Sequence, residues 1–253
     1  MIDSIWKKLV FMAGDVRKIR GFPWVTWSCH KHQVCLGEIL EALPLLKFGD
    51  IGLHRDWGYL SNIAIPGFMK HGWIHVSSGE NPPMVVEAVS EGVICRSALY
   101  PMYSDYTIIL EPKNADDKER KGACKKARSI VGEDYDVNFH FDIEDEIRYY
   151  NGDEIAEAKD SLKDGERCLK KYDPAFSCTE VCSYSWWHKR EDLRLYRKRR
   201  RRRNVIIADD FLNNGWKIKW MSQSVTVDLA HSMGLHEEGV EMIKGFLSGR
   251  AGS

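Results

Sequence analysis

The run Phe176-Ser177-Cys178-Thr179-Glu180-Val181-Cys182 places a thiol where a helix would begin. Pro174 and Ser177 precede it. Ser177 suits the N-cap and Glu180 falls at the third helical position, the pattern of a capping box. Cys178 then lies in the first helical turn, where free backbone N–H groups and the helix dipole favour an anion. A thiolate is the nucleophilic form of cysteine, and a helix N-terminus lowers the thiol pKa. The same N–H groups can hold the oxyanion of a tetrahedral intermediate. Cys182 falls one turn deeper on the same face and reads as core. The bland alternative for Cys178 is a small buried hydrophobe.

A nucleophilic thiol needs a base. The segments Gly72-Trp73-Ile74-His75-Val76-Ser77 and Met84-Val85-Val86-Glu87-Ala88-Val89 both read as strands. A hairpin about Asn81 would set Ser77 opposite Val85 and His75 opposite Glu87. Directly opposed residues share a face, with Cβ atoms ~4.5–5.5 Å apart. The carboxylate can then hold one imidazole nitrogen and leave the other for a thiol, which is the logic of a catalytic triad. The competing reading is a structural His–Glu pair on a solvated face. Against it, Glu87 stands between Val85 and Val89 on its own face, so it is expected to be partly buried and to need a partner.

Two further clusters carry potential chemistry. Residues 197–203 are seven consecutive cations, Arg-Lys-Arg-Arg-Arg-Arg-Arg, and Arg199, Arg200 and Arg201 lie at their centre. A surface loop over 189–203 is expected there, open to nucleic acid, anionic lipid or an acidic partner. The alternative is a solvated loop balanced by the acid-rich stretch 133–160. Cys29, His30, His32 and Cys35 offer four zinc-type ligands in seven residues. They are too crowded for a standard finger and lack a well-placed second pair, so neither metal nor cofactor is expected. His54, His71, His140, His188, His231 and His236 have no matched partner in sequence and read as surface or packing residues.

These side chains must be held by an α+β framework. Strand-like runs at 72–78, 84–90, 92–97 and 106–110, with short links, imply an antiparallel meander. Residues 1–47 read as an amphipathic helical extension, broken near Gly21-Phe22-Pro23. A helix is expected over 114–131, another over 178–189, a strand at 205–207, and a helical tail within 225–253. The central region 48–224 would form the functional domain. Helices and strands in separate blocks point to α+β.

The bulk properties agree with a folded, soluble chain. Its 253 residues are 43% hydrophobic and 29% charged, and 37 basic residues cancel 37 acidic ones. Global charge therefore implies no polyanionic partner. Seven irregularly spaced cysteines do not make a disulfide framework, and reduced thiols are expected. No run approaches the ~18 apolar residues of a membrane span. The N-terminus lacks the pattern of a secretory signal, so a product cytoplasmic as made is expected; one associated with a virion or delivered by lysis would need no such signal.

In order, Gly49-Asp50-Ile51, His75-Val76, Val86-Glu87-Ala88, Tyr135-Asp136 and Cys178-Thr179-Glu180-Val181 resemble the permuted papain-like amidases of the YaeF/YiiX type. These are relatives of the NlpC-type cell-wall peptidases and of lecithin:retinol acyltransferase. In that group the histidine precedes the cysteine helix. Ile206-Ile207-Ala208-Asp209-Asp210-Phe211-Leu212 is similar to the family's "Pro-Asp-Asp-Leu" stretch, with Ala208 in place of proline. Thr179 and Val181 depart from the usual Cys-Ser-Glu-Leu. The resemblance covers roughly residues 45–220. It implies a papain-like half-barrel and a triad of Cys178, His75 and Glu87, with Tyr135 lining the site and aiding the oxyanion or anchoring a loop. It further implies thiolate attack on an amide or ester, such as a cell-wall peptide, an amino-acid amide or a lipid acyl bond. An acyltransferase of the same mechanism, or a non-enzymatic virion component that retains the fold, would share these motifs.

Overall fold

The computed structural model describes residues 16–19, 22–25, 32–57, 59, 62, 65–77, 81–136, 175–187, 189–195, 198–200, 203–213 and 215–251. The fold is α+β. Its centre is a six-stranded antiparallel sheet made of β3 (Ile51–Arg55), β4 (His71–His75), β5 (Met84–Val89), β6 (Gly92–Ser97), β7 (Tyr106–Pro112) and β12 (Trp216–Met221). The spatial order is β12-β7-β3-β4-β5-β6.

Outside the sheet lie a hairpin of β1 (Val16–Ile19) and β2 (Phe22–Val25), and the helices α1 (Leu36–Ala42), α2 (Leu99–Met102), α3 (Asp117–Arg128) and α4 (Cys178–Trp186). A short parallel pair joins β8 (Asp134–Tyr135) to β9 (Ala175–Phe176). A second hairpin pairs β10 (Lys198–Arg200) with β11 (Arg203–Val205), and α5 (Val227–Ser232) and α6 (Glu237–Ala251) close the chain.

The four strand runs and the helices at 114–131 and 178–189 appear where the sequence pattern placed them, with trimmed ends. Three expectations change. Residues 16–25 pair as a hairpin instead of continuing a helix, because Val16, Ile19, Phe22 and Val25 favour extended backbone and Pro23 opposes a helix interior. The cationic run is also a hairpin, with Arg199 opposite Asn204 and Arg200 opposite Arg203. Its Arg201 lies outside the described residues, as do the side chains of Arg199 and Arg200. Ile206 and Ile207 leave the strand to enter a 3-10 turn at Ala208–Phe211.

Strand β12 was not anticipated, although Trp216, Lys217, Ile218, Lys219 and Trp220 alternate apolar and basic. A register shift between Ile218 and Trp220 breaks that alternation. Trp216 and Met221 lie in one core and Trp220 in another.

The sheet is covered on both faces. Ile74, Val86, Ile108 and Leu110 point into the main core beneath α3 and α4. Trp73, Val85 and Ile109, one residue out of phase, point into a second core with Ile39 and Ala42 of α1 and Met102 of α2. Period-two alternation thus sorts one strand between two cores, and explains why the central strands read as nearly unbroken apolar runs. Ala230, Val240 and Ile243 of the last helices belong to the main core.

Candidate active site

Cys178 is the first residue of α4, and Ser177 is its N-cap in extended conformation. The cap is one-sided. The Glu180 carboxylate accepts from the Ser177 backbone N–H at 2.9 Å, whereas the Ser177 hydroxyl makes no capping bond to the helix and lies 3.3 Å from the Thr179 hydroxyl. The thiol is therefore placed as the sequence suggested. It is buried, with 6% of its surface exposed.

The imidazole beside it belongs to His71, at the start of β4, and not to His75. His71 is the imidazole whose charge couples to the Cys178 thiol, each shifting the other's pKa. Its Nε2 donates to Glu87 Oε2 at 2.6 Å, which leaves Nδ1 as the ring nitrogen for the sulfur. On its other oxygen, Glu87 accepts from Arg96 Nε. The Glu87 side chain is fully buried, whereas His71 is 20% exposed and Arg96 33% exposed. Glu87 thus pairs with a histidine, but with His71 in place of the expected His75.

His75 does not meet Glu87, for a geometric reason. The observed hairpin pairs Ile74 with Val86 and His75 with Val85, two residues away from the expected partner. Continuing that register sets Glu87 opposite Trp73 and diagonal to His71, a spacing long side chains bridge. Four residues of strand also separate the two histidines by roughly 13 Å. His75 instead is buried at the far end of β4. There its Nδ1 meets the Lys47 carbonyl at 2.9 Å and its Nε2 meets the Ser77 hydroxyl at 3.2 Å. It lines a cleft of about 430 Å³ with Leu46, Phe48 and Pro83. That cleft is not at the thiol.

The electrostatics favour an ion pair. Burial pushes the Cys178 thiol up, but the His71 charge and hydrogen bond, together with backbone bonds from Gly72 and Thr179, bring it below its ordinary value. Burial likewise opposes a charged His71, yet the Cys178 thiolate and Glu87 outweigh it and raise the imidazole to about 10. Burial alone would raise Glu87 as well, and hydrogen bonds and charge from His71 and Arg96 hold it down to about 2. The charged forms of Cys178, His71, Glu87 and Arg96 thus alternate in sign and favour one another. By contrast, burial and the neighbouring thiolate push Cys182 well above its normal range, which keeps it a neutral core thiol.

Backbone positions bring these groups together. Gly72 follows His71 and faces α4. A Cβ there would stand 3.4 Å from Cys182 Sγ and 3.7 Å from the Cys178 carbonyl. The missing side chain lets the helix start approach the strand. The acidic stretch after α4 ties both sides. Thr179 Oγ1 donates to the Ile206 carbonyl at 2.7 Å. Asp209 accepts the Phe68 N–H at 2.5 Å and the Met69 N–H at 2.7 Å, just ahead of His71. Gly67 has φ of +97°, and a Cβ there would stand 2.7 Å from Asp209 Oδ2. The loop into β4 thus needs a glycine on two counts.

Tyr135 reaches the same region. Its strand pairs with β9, Tyr135 opposite Phe176. Burial, then the charges of Cys178, Asp136 and Glu180, push its phenol well above the ordinary value, so it stays a donor. His54, opposite His71 in the neighbouring strand, stacks on it with ring centroids 4.6 Å apart.

Neither His71 nor His54 was singled out from the sequence. The available signal was the wider strand, since His71 heads the same alternating run as His75, and only the register decides which histidine meets Glu87.

Of the zinc-type cluster, Cys29 and His30 lie outside the described residues. Cys35 is the N-cap of α1, and its N–H is held by Glu38 at 3.0 Å. His32 Nδ1 lies 3.3 Å from Asp56 Oδ1. With Asp105, these groups place three ligand-type atoms within 4.8 Å of one another. Both Asp105 oxygens already accept backbone N–H groups, from Gln33 at 3.2 Å and Trp57 at 2.6 Å.

No family model, curated protein or solved structure matches the chain. The case for a function therefore rests on the geometry above. Among the described residues, no helix is long and apolar enough to cross a membrane.

Proposed function

We propose that the protein is a cysteine hydrolase of amide or ester bonds, with Cys178 as nucleophile, His71 as base and acid, and Glu87 orienting the imidazole. The observation that carries this reading is the His71 ring, fixed to buried Glu87 through Nε2 and coupled to a helix-start thiol that it holds below its ordinary pKa. The order of histidine strand before cysteine helix accords with the permuted papain-like arrangement that the motifs resemble.

In this mechanism the thiolate attacks the carbonyl carbon, an S–C bond forms, and the π electrons move to oxygen. Backbone N–H groups at the start of α4 and the Tyr135 phenol are the candidate donors to that oxyanion. Collapse expels the amine or alcohol, which takes its proton from His71. Water, deprotonated by His71, then attacks the thioester and releases the acid and the thiolate. Peptides, amino-acid amides and cell-wall peptides are the candidate substrates. Lipid acyl esters would follow the same steps.

The test is alkylation of Cys178 by iodoacetamide across pH, with hydrolysis of an amide and ester panel. C178A is expected to abolish turnover and retain the fold. H71A is expected to lower turnover by 10²-fold or more and to return the thiol toward ordinary reactivity. H75A is expected to leave thiolate reactivity intact. A fast thiolate in H71A, or its loss in H75A, overturns the assignment. Transfer of the acyl group to an added amine in preference to water would make the enzyme an acyltransferase.

A further inference from the structure

Arg96 makes a single hydrogen bond among the described residues, from Nε to Glu87. Its Nη groups are not engaged by any described residue, although a guanidinium offers five donors in a fixed fork. The side chain is one-third exposed. Its Cζ lies 5.2 Å from the centroid of the Tyr100 ring, and Tyr100 is 66% exposed with Leu99 beside it at 38%. The guanidinium is thus steadied on both sides, by a carboxylate at Nε and an aromatic face at Cζ. Among the described residues, nothing hydrogen-bonds its outer edge.

Glu87 links this edge to the histidine of the site. One carboxylate and its two hydrogen bonds join His71 Nε2 to Arg96 Nε, so the two nitrogens lie no more than roughly 7 Å apart. His71 is the group that would protonate the departing atom. An anionic group about one residue or one aromatic ring beyond that atom would meet the guanidinium. Arginine is the side chain suited to bidentate capture of carboxylate or phosphate, and a partly desolvated, stacked guanidinium binds them best.

We propose that Arg96 is a specificity residue, selecting substrates whose leaving group carries an anionic oxygen group, carboxylate or phosphate, close to the scissile bond. This rests on the hydrolase reading above. It narrows the substrates to those such as a peptide bond near a free C-terminal carboxylate or an ester beside a phosphate. Tyr100 supplies an apolar face for the adjoining part of the leaving group.

The experiment uses three acetylglycyl esters that differ only in the leaving group: 4-hydroxybenzoate, 4-hydroxybenzamide and 4-hydroxyphenyl phosphate. Each kcat/KM is divided by the ester's own alkaline hydrolysis rate. The wild type is expected to favour at least one anionic ester over the benzamide by on the order of tenfold or more, and the two anionic arms tell carboxylate from phosphate. R96Q is expected to lower every rate, through loss of support for Glu87, and also to erase the preference. R96K, which keeps the charge but not the fork, should retain part of it, and Y100A should weaken it severalfold. Should R96Q not fold, R96K and Y100A decide.

Parallel losses on all three esters, with the preference unchanged, would make Arg96 a support for Glu87 only and overturn the proposal. Equal wild-type rates on all three would overturn it as well. If the wild type turns over none of them while Cys178 remains a reactive thiolate, the hydrolase reading fails first and this inference with it.

Discussion

At the scale of the residue, the site is defined by which ionisable groups burial leaves charged. Glu87 is fully buried yet ionised, because His71 and Arg96 each bond one of its oxygens. A carboxylate held at about 2 in the fold, against an ordinary value of 4.5, contributes stability that is fully present above pH 4.5. That contribution is lost as pH falls through about 2, and it amounts to on the order of 3 kcal/mol. Urea midpoints measured between pH 6 and pH 2.5 are expected to fall more steeply in the wild type than in E87Q. An equal slope in the two would show that Glu87 does not carry this charge. The imidazolium sets the other limit. With His71 raised to about 10, hydrolysis is expected to decline only as pH rises through that value, where the proton for the leaving group is lost. A decline centred near 6.5 would contradict the ion pair. His54 is a separate case. Its Nδ1 is buried with no hydrogen-bond partner among the described residues, and burial followed by the His71 charge lowers it to about 4. H54F removes an unsatisfied buried nitrogen and keeps a ring, so it is expected to stabilise the fold by ~1–3 kcal/mol in urea denaturation.

At the scale of the element, three pieces of chain must agree in position: the start of α4, the start of β4, and the turn at 206–209 that holds both. Thr179 bonds one side of that turn, and Asp209 the backbone ahead of His71. D209A would strand two buried N–H groups at Phe68 and Met69. A loss of ~2–4 kcal/mol is expected, a penalty of ~1–3 for each orphaned group less some relaxation. Thiolate reactivity should fall with it, as the entrance to β4 drifts from the helix. Gly72 tests the same contact from the strand. G72V adds branches beyond a Cβ already 3.4 Å from Cys182 Sγ, so α4 must move away. Loss of the fast iodoacetamide reaction with the fold retained by circular dichroism is the expected signature. Unchanged reactivity would mean that the approach of α4 to β4 does not set the thiol's environment.

At the scale of the molecule, a sheet buried on both faces needs covers on both. The main core takes its cover from α3, α4 and the last helices, where Val240 and Ile243 are 1% and 0% exposed. Ending the chain before Glu237 would forfeit the burial of these two side chains, about 3–6 kcal/mol, a large part of the ~5–15 kcal/mol that holds a typical domain folded. Circular dichroism and urea denaturation of that truncation should show an unfolded or strongly destabilised chain. The buried Asp50 network braces the same core, with Arg120 Nη1 at 2.7 Å and Lys219 Nζ at 2.6 Å. Asp50 thereby ties the start of β3 to α3 and to β12, the strand whose alternation the register shift obscured.

The sequence by itself determined the α+β class, four of the strand runs, and a thiol at a helix start with Glu180 positioned to hold the Ser177 N–H. It also determined that Glu87, flanked by valines on its own face, would need a partner. Local signals sufficed there because period-two patterning and capping act over a few residues. Only the tertiary structure decided which histidine that partner is. Strand register depends on the whole connection between β4 and β5, and a two-residue change keeps every side chain on its face while exchanging its neighbour. The roles of Gly72, Asp209 and Arg96 were equally closed to the sequence, since each depends on contacts between segments far apart along the chain.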